Sequence, residues 1–132
     1  MPIYAGAMAR LGTGKSLIVS GDEGLDELSL AGGNEVAVVT GHAFTMERID
    51  AGAAGLPHAP IEAIRGDDAK HNAAALKALL MGIPGPYRDA VLFNAAGALT
   101  VAGRGADWRE RASMAADALD SGAALALSLI HI

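Results

Sequence analysis

The stretch PYRDAVLFNAAGALTVAG, Pro86 to Gly103, is long enough for a helix and apolar on nearly every side. A helix of that kind cannot rest on a surface; it belongs inside a domain or inside a membrane. Its uncharged part, Ala90 to Gly103, is interrupted by Asn94 and Thr100 and is shorter than the roughly 20 residues that cross a bilayer. The chain must therefore build a core around this helix. With 132 residues, 52% of them hydrophobic, it has the material for one modest core. Alanine is abundant and aromatics are few (one Trp, two Tyr, two Phe), which suits helices packed closely on a sheet.

Other elements can be read around it. Ile3 to Leu11 is a short helix whose beginning is missing, and Gly12 and Gly14 form its C-cap and the turn after it. Leu17-Ile18-Val19 and Val36-Ala37-Val38-Val39 are β-branched runs bounded by glycine, as in strands buried on both faces. Thr45 to Arg48 reads as one helical turn, and Gly52 to Pro60 as a loop with two prolines. Asp67 or Asp68 can cap a helix through HNAAALKALL, which Gly82 and Pro84 stop. Pro86 suits the first turn of the apolar helix, and Asp107 to Glu110 has capping-box spacing for a third, with Trp108, Ala112, Ala115, Leu119 and Ala123 on one face. Two strands followed by three helices indicate part of an α/β domain, since two central strands need neighbours.

The net charge of −5, with no basic run, argues against a nucleic-acid partner. There is no cysteine, which removes disulfides, thiolate nucleophiles and Cys-based zinc sites. No basic segment followed by an apolar one opens the chain, so the reading is a cytoplasmic protein without a membrane segment.

Two neighbouring motifs compete for the chemistry. Gly14-Lys15-Ser16 matches the end of a phosphate-binding P-loop, but Ala9 stands where the first glycine belongs, and the helix precedes the strand instead of following it. GDEGLDELS places four carboxylates (Asp22, Glu23, Asp26, Glu27) within six residues after the first strand, the end where open α/β sheets bind ligands. Crowded carboxylates repel, and a hard cation relieves that; Mg²⁺ commonly takes one or two carboxylates together with phosphates and water. A solvated acidic turn has the same composition, and spacing alone leaves both readings open.

The loop GDEGLDELSL resembles the signature loop of the anthranilate phosphoribosyltransferase family. ARLGTGKSLIVSG resembles the helix, turn and strand before it, and IRGDDAKHNAAALKALLMGIPGPYRDAVLFNAAGALTVAG the later segment of that family. ALDSGAA resembles its last helix, so the similarity spans nearly the whole chain. The resemblance implies the fold shared with pyrimidine nucleoside phosphorylases, of which this chain would be the C-terminal part of the large α/β domain, incomplete at both ends. It further implies transfer of a phosphoribosyl group from phosphoribosyl pyrophosphate to anthranilate, in tryptophan biosynthesis. In that family the Asp-Glu pair of the loop binds the Mg²⁺ that carries pyrophosphate; those positions here are Asp26 and Glu27, whereas Asp22 and Glu23 match less constrained positions. The family's glycine-rich loop for phosphoribosyl pyrophosphate, the serine of its metal site and its anthranilate-binding residues have no counterpart here, so the chain reads as a fragment with little or no turnover alone. The family's dimer forms through its small helical domain.

Residues 1–126 read as family sequence, whereas Leu127 to Ile132, LSLIHI, depart from the family's longer last helix. That segment can be back-translated into the end of a common transposon sequencing adaptor, and reads as a non-native tail; a genomic clone encoding LSLIHI and then a stop codon would show otherwise. His42, His58, His71 and His131 have no metal-ligand spacing and read as loop or surface residues. Asn94 must find partners for a buried amide and so ties its helix to a neighbouring loop; Trp108 reads as a core anchor and Lys15 as an exposed turn residue. Two rivals remain: a pyrimidine nucleoside phosphorylase, and a non-catalytic half-domain for binding or assembly.

Overall fold

The apolar stretch forms a 16-residue helix, Pro86–Val101, that buries Ala90, Leu92, Phe93, Ala96 and Gly97. In the computed structural model, which describes residues 1–130, the order is α1 (Pro2–Leu11), β1 (Lys15–Gly21), β2 (Asn34–Thr40), β3 (Ala43–Ile49), α2 (Ala69–Leu80), α3 (Pro86–Val101), α4 (Trp108–Asp120) and α5 (Ala123–Ile130). Short 3₁₀ turns lie at Ala51–Ala54 and Ile61–Ile64. Residues 127–130 of the tail are part of α5, while His131 and Ile132 lie outside the described residues. No helix among the described residues is long and apolar enough to cross a membrane.

The protein is a mixed α/β structure in which α1 and α3 sandwich a sheet of order β1-β2-β3. Side chains alternate along β2, so Val36 and Val38 face the core around α3, and Ala37 and Val39 face α1. Ala5 and Ala9, one turn apart, are buried against Ala37 and Val39; their small side chains let the helix backbone approach the sheet. On the other face Leu17, Val19 and Val36 meet Leu28, Phe93 and Ala96. Phe93 is fully buried and takes Trp108 edge-on at 5.8 Å, so Trp108 is the anchor of α4 that its sequence suggests. Burial of a side chain the size of Phe93 contributes about 1.5–3 kcal/mol. Leu79, Leu92 and Leu119 tie α2, α3 and α4 together.

Several expectations need correction. Both strand pairings are antiparallel, so the loop after β1 is a connection between sheet neighbours, not the carboxyl edge of a parallel sheet. β2 is buried on both faces, β1 is half-buried with Leu17 and Val19 toward α3 and Ile18 toward α1, and β3 is largely exposed. Thr45 to Arg48 is not a helical turn but the middle of β3. The two-residue loop Gly41-His42, with Gly41 at φ 58°, returns the chain beside β2, and pairing with that strand overrides the helical preference of Met46-Glu47-Arg48. Asp68 is the residue that caps α2, accepting the His71 N–H at 2.7 Å. The last helix is two: Gly122, at φ 76°, ends α4, and Ala123 begins α5 instead of continuing the Trp108 face.

Candidate metal-binding loop

The connection from β1 to β2, residues 22–33, is pinned at both ends and along its length. The Gly21 N–H donates to the Leu25 carbonyl at 2.9 Å, and the Asp22 N–H to the Gly33 carbonyl at 3.0 Å. Gly24, at φ 85°, takes the tight turn between them. Beyond the turn, Leu28, Ser29 and Leu30 are 1–2% exposed. Two asparagines hold this buried strip by its backbone. Asn94 of α3 accepts the Leu28 N–H at 2.9 Å and donates to the Leu28 carbonyl at 3.0 Å. Asn34, at the start of β2, does the same for Ser29, with distances of 2.6 and 3.0 Å. Asp26 and Glu27 therefore stand exposed directly before an immobilised base.

The four carboxylates differ in their surroundings. Asp22 pairs with Arg48 of β3 at 2.6 Å, and the pair crosses Gly33, where a Cβ would lie 2.6 Å from Arg48 Nη2 and 2.8 Å from Asp22 Oδ2. Glu23 folds over Gly32, whose Cβ would meet its Oε1 at 2.5 Å. The Gly32-Gly33 pair thus makes room for the first two acidic side chains. Asp26 and Glu27 have no salt bridge and no side-chain hydrogen bond among the described residues. Glu27 also borders a cavity of about 500 Å³ with Ile64, Tyr87, Ala90 and Asn94.

Unpartnered, solvent-facing carboxylates are the hard oxygen donors that Mg²⁺ prefers, and this pair fits part of its coordination shell. Among the described residues no three His, Cys, Asp or Glu side chains gather into a ready-made cage, so water or a phosphate ligand would supply the rest. The remaining sequence candidates lie elsewhere. Lys15 is exposed at the entry to β1, opposite Thr40, and Gly12 caps α1 at φ 69°, so GTGKS is a helix-to-strand turn. His42 Nδ1 lies 3.0 Å from the Ala9 carbonyl at the end of α1, and His58 is 3.9 Å from Asp50. His131 lies outside the described residues. Asn94 does tie its helix to a loop, and the loop is the acidic one. Sequence reasoning missed Arg48 and Asn34; Arg48 was hidden by the helical reading of β3, and Asn34 had only its place after Gly-Gly as a signal.

Comparison with known proteins agrees with this architecture. The model of the glycosyl transferase family, a/b domain, matches residues 1–125. The chain belongs to this family. It is 66% identical over 124 residues to the anthranilate phosphoribosyltransferase of Erythrobacter litoralis, covering 94% of this chain and 38% of that protein. The enzyme of the same name from Novosphingobium aromaticivorans is 59% identical, with 96% and 38% covered. Among solved structures, anthranilate phosphoribosyltransferase from Thermus thermophilus superposes with a TM-score of 0.81 at 34% identity, over 96% of this chain and 38% of that one. The Saccharomyces cerevisiae enzyme in complex with PRPP and Mg gives 0.85 at 28% identity, over 95% and 36%. The chain thus spans less than two-fifths of the length of the relatives it matches.

Proposed function

We propose that this domain is the part of an anthranilate phosphoribosyltransferase that holds Mg²⁺ for pyrophosphate, with Asp26 and Glu27 as the ligands. The reaction is transfer of the phosphoribosyl group from phosphoribosyl pyrophosphate to anthranilate, giving N-(5-phosphoribosyl)anthranilate and pyrophosphate in tryptophan biosynthesis. The observation that carries the assignment is the division of the loop. Asp22 is taken up by Arg48 and Glu23 is folded back over Gly32, whereas Asp26 and Glu27 stand exposed directly before the anchored strip. Relatives and solved neighbours that share the name, one of them with PRPP and Mg, support the reading over a nucleoside phosphorylase.

Mg²⁺, when bound, neutralises the charge that grows on departing pyrophosphate. The protein's part is to hold both carboxylates in place beforehand, so that no loop ordering accompanies binding. A cytoplasmic setting belongs to the same reading, supported by a chain without cysteine; the homodimer of the full-length enzyme rests on the family resemblance. The test is Mg²⁺-dependent stability and, in a full-length enzyme carrying this segment, turnover. Asp26→Ala with Glu27→Ala should abolish the Mg²⁺ effect on melting and lower kcat/KM by about 100-fold or more. An unchanged Mg²⁺ response would instead favour a non-catalytic half-domain.

A further inference from the structure

Asn94 sits in the middle of α3, yet its amide serves another segment. It accepts the Leu28 N–H at 2.9 Å, and its NH₂ donates to the carbonyls of Leu28 and Ala90, both at 3.0 Å. Leu28 is the residue after Glu27, so these bonds fix the peptide from which the acidic pair projects. One turn further along α3, Gly97 faces the side chains of Leu17 and Leu28. A Cβ there would lie 3.5 Å from Leu28 Cδ1 and 3.3 Å from Leu17 Cδ2. Asn94 also borders the cavity that Glu27 lines, so amide and carboxylate share one wall.

We infer that Asn94 is a positioning residue for the metal pair: α3, through Asn94 and the gap at Gly97, sets where Asp26 and Glu27 stand. This rests on the assignment of those two residues as Mg²⁺ ligands. Partners that orient metal ligands typically change metal affinity by about 10- to 100-fold when removed. A residue needed only for folding would lower stability and leave the affinity of the folded protein alone.

The experiment titrates Mn²⁺, which takes similar oxygen ligands, into the isotope-labelled 132-residue chain and follows paramagnetic broadening of the loop amides. In the wild type, broadening should centre on Asp26 and Glu27 and vanish in Asp26→Ala with Glu27→Ala. Asn94→Leu, similar in size but without hydrogen bonds, should raise the Mn²⁺ dissociation constant about tenfold or more. Gly97→Val, whose methyl groups reach beyond a Cβ already in contact with Leu28 Cδ1 at 3.5 Å, presses on Leu28 without touching the amide and should raise it a few-fold. Leu119→Ala, in the separate cluster with Leu79 and Leu92, should cost stability without changing the constant. Wild-type affinity in folded Asn94→Leu overturns the inference; if that variant does not fold, an unchanged constant in Gly97→Val does so. An equal loss in Leu119→Ala also overturns it, by making the effect one of general destabilisation. Broadening that survives loss of both carboxylates defeats the metal assignment itself, and this inference with it.

Discussion

Gly33 leaves a gap, and Asp22 and Arg48 meet across it at 2.6 Å. The pair is half-exposed on both sides, so it is worth little in stability but a good deal in sorting the loop: it takes one carboxylate away from the cluster. Asp22→Asn should therefore change stability by less than about 1 kcal/mol by denaturant titration. It should leave the Mg²⁺ response intact, whereas loss of that response would place Asp22 among the ligands. At this scale legibility depends on how few options a residue has. An amide inside an apolar helix must find polar partners, so the tie made by Asn94 could be read before its partner was known. Arg48 could have paired with any exposed acid, and only the course of β3 brings it to Asp22.

Helices carry most of what could be read at the level of elements. Caps and glycines are local chemistry: Asp68 and Asp107 accept from His71 and Glu110 three residues on, at 2.7 and 2.8 Å. The join between α3 and α4 was not local. Arg88 grips Asp120 with two hydrogen bonds, 2.7 and 3.0 Å, and reaches the Gly82 carbonyl at 3.3 Å. The hydrogen bond from Arg88 holds the Asp120 carboxyl below its usual pKa, while burial pushes its neighbour Asp89 above it against the pull of the Arg88 charge. A lowered carboxylate pKa means that the contribution of Asp120 is present above the ordinary carboxylate range and lost as pH falls through its lower folded value. Asp89 acts in the opposite sense, favouring the fold as it takes up its proton. Melting curves from neutral pH into the acid range should therefore lose less stability in Asp120→Asn than in the wild type. An identical acid limb would mean that the bridge contributes nothing. The strand β3 was misread because its pattern is weak: an exposed strand lacks the apolar face that marks a buried one.

For the molecule as a whole, the carboxylates and their supports all lie within this chain, which spans 38% of a relative it matches. Glu27 stands at one side of a cavity whose six other lining residues include no basic residue and no glycine-rich phosphate loop. A transfer between two substrates needs both held in line. Purified alone, the chain should form no measurable phosphoribosyl anthranilate by fluorescence assay; detectable product would show that the substrate cradle is built from residues within it. The sequence by itself determined most of the helices, the existence of a buried central one, and the crowding of four carboxylates in the loop after β1. Periodicity, capping and an amide in an apolar helix are properties of neighbours in the chain. Only the tertiary structure decided the antiparallel sheet, the strand β3, and the ion pair that takes Asp22 out of the acidic cluster. Those outcomes depend on which distant backbone comes alongside: β3 carries Arg48 to Asp22, and α3 brings Asn94 to Leu28 across 66 residues of sequence.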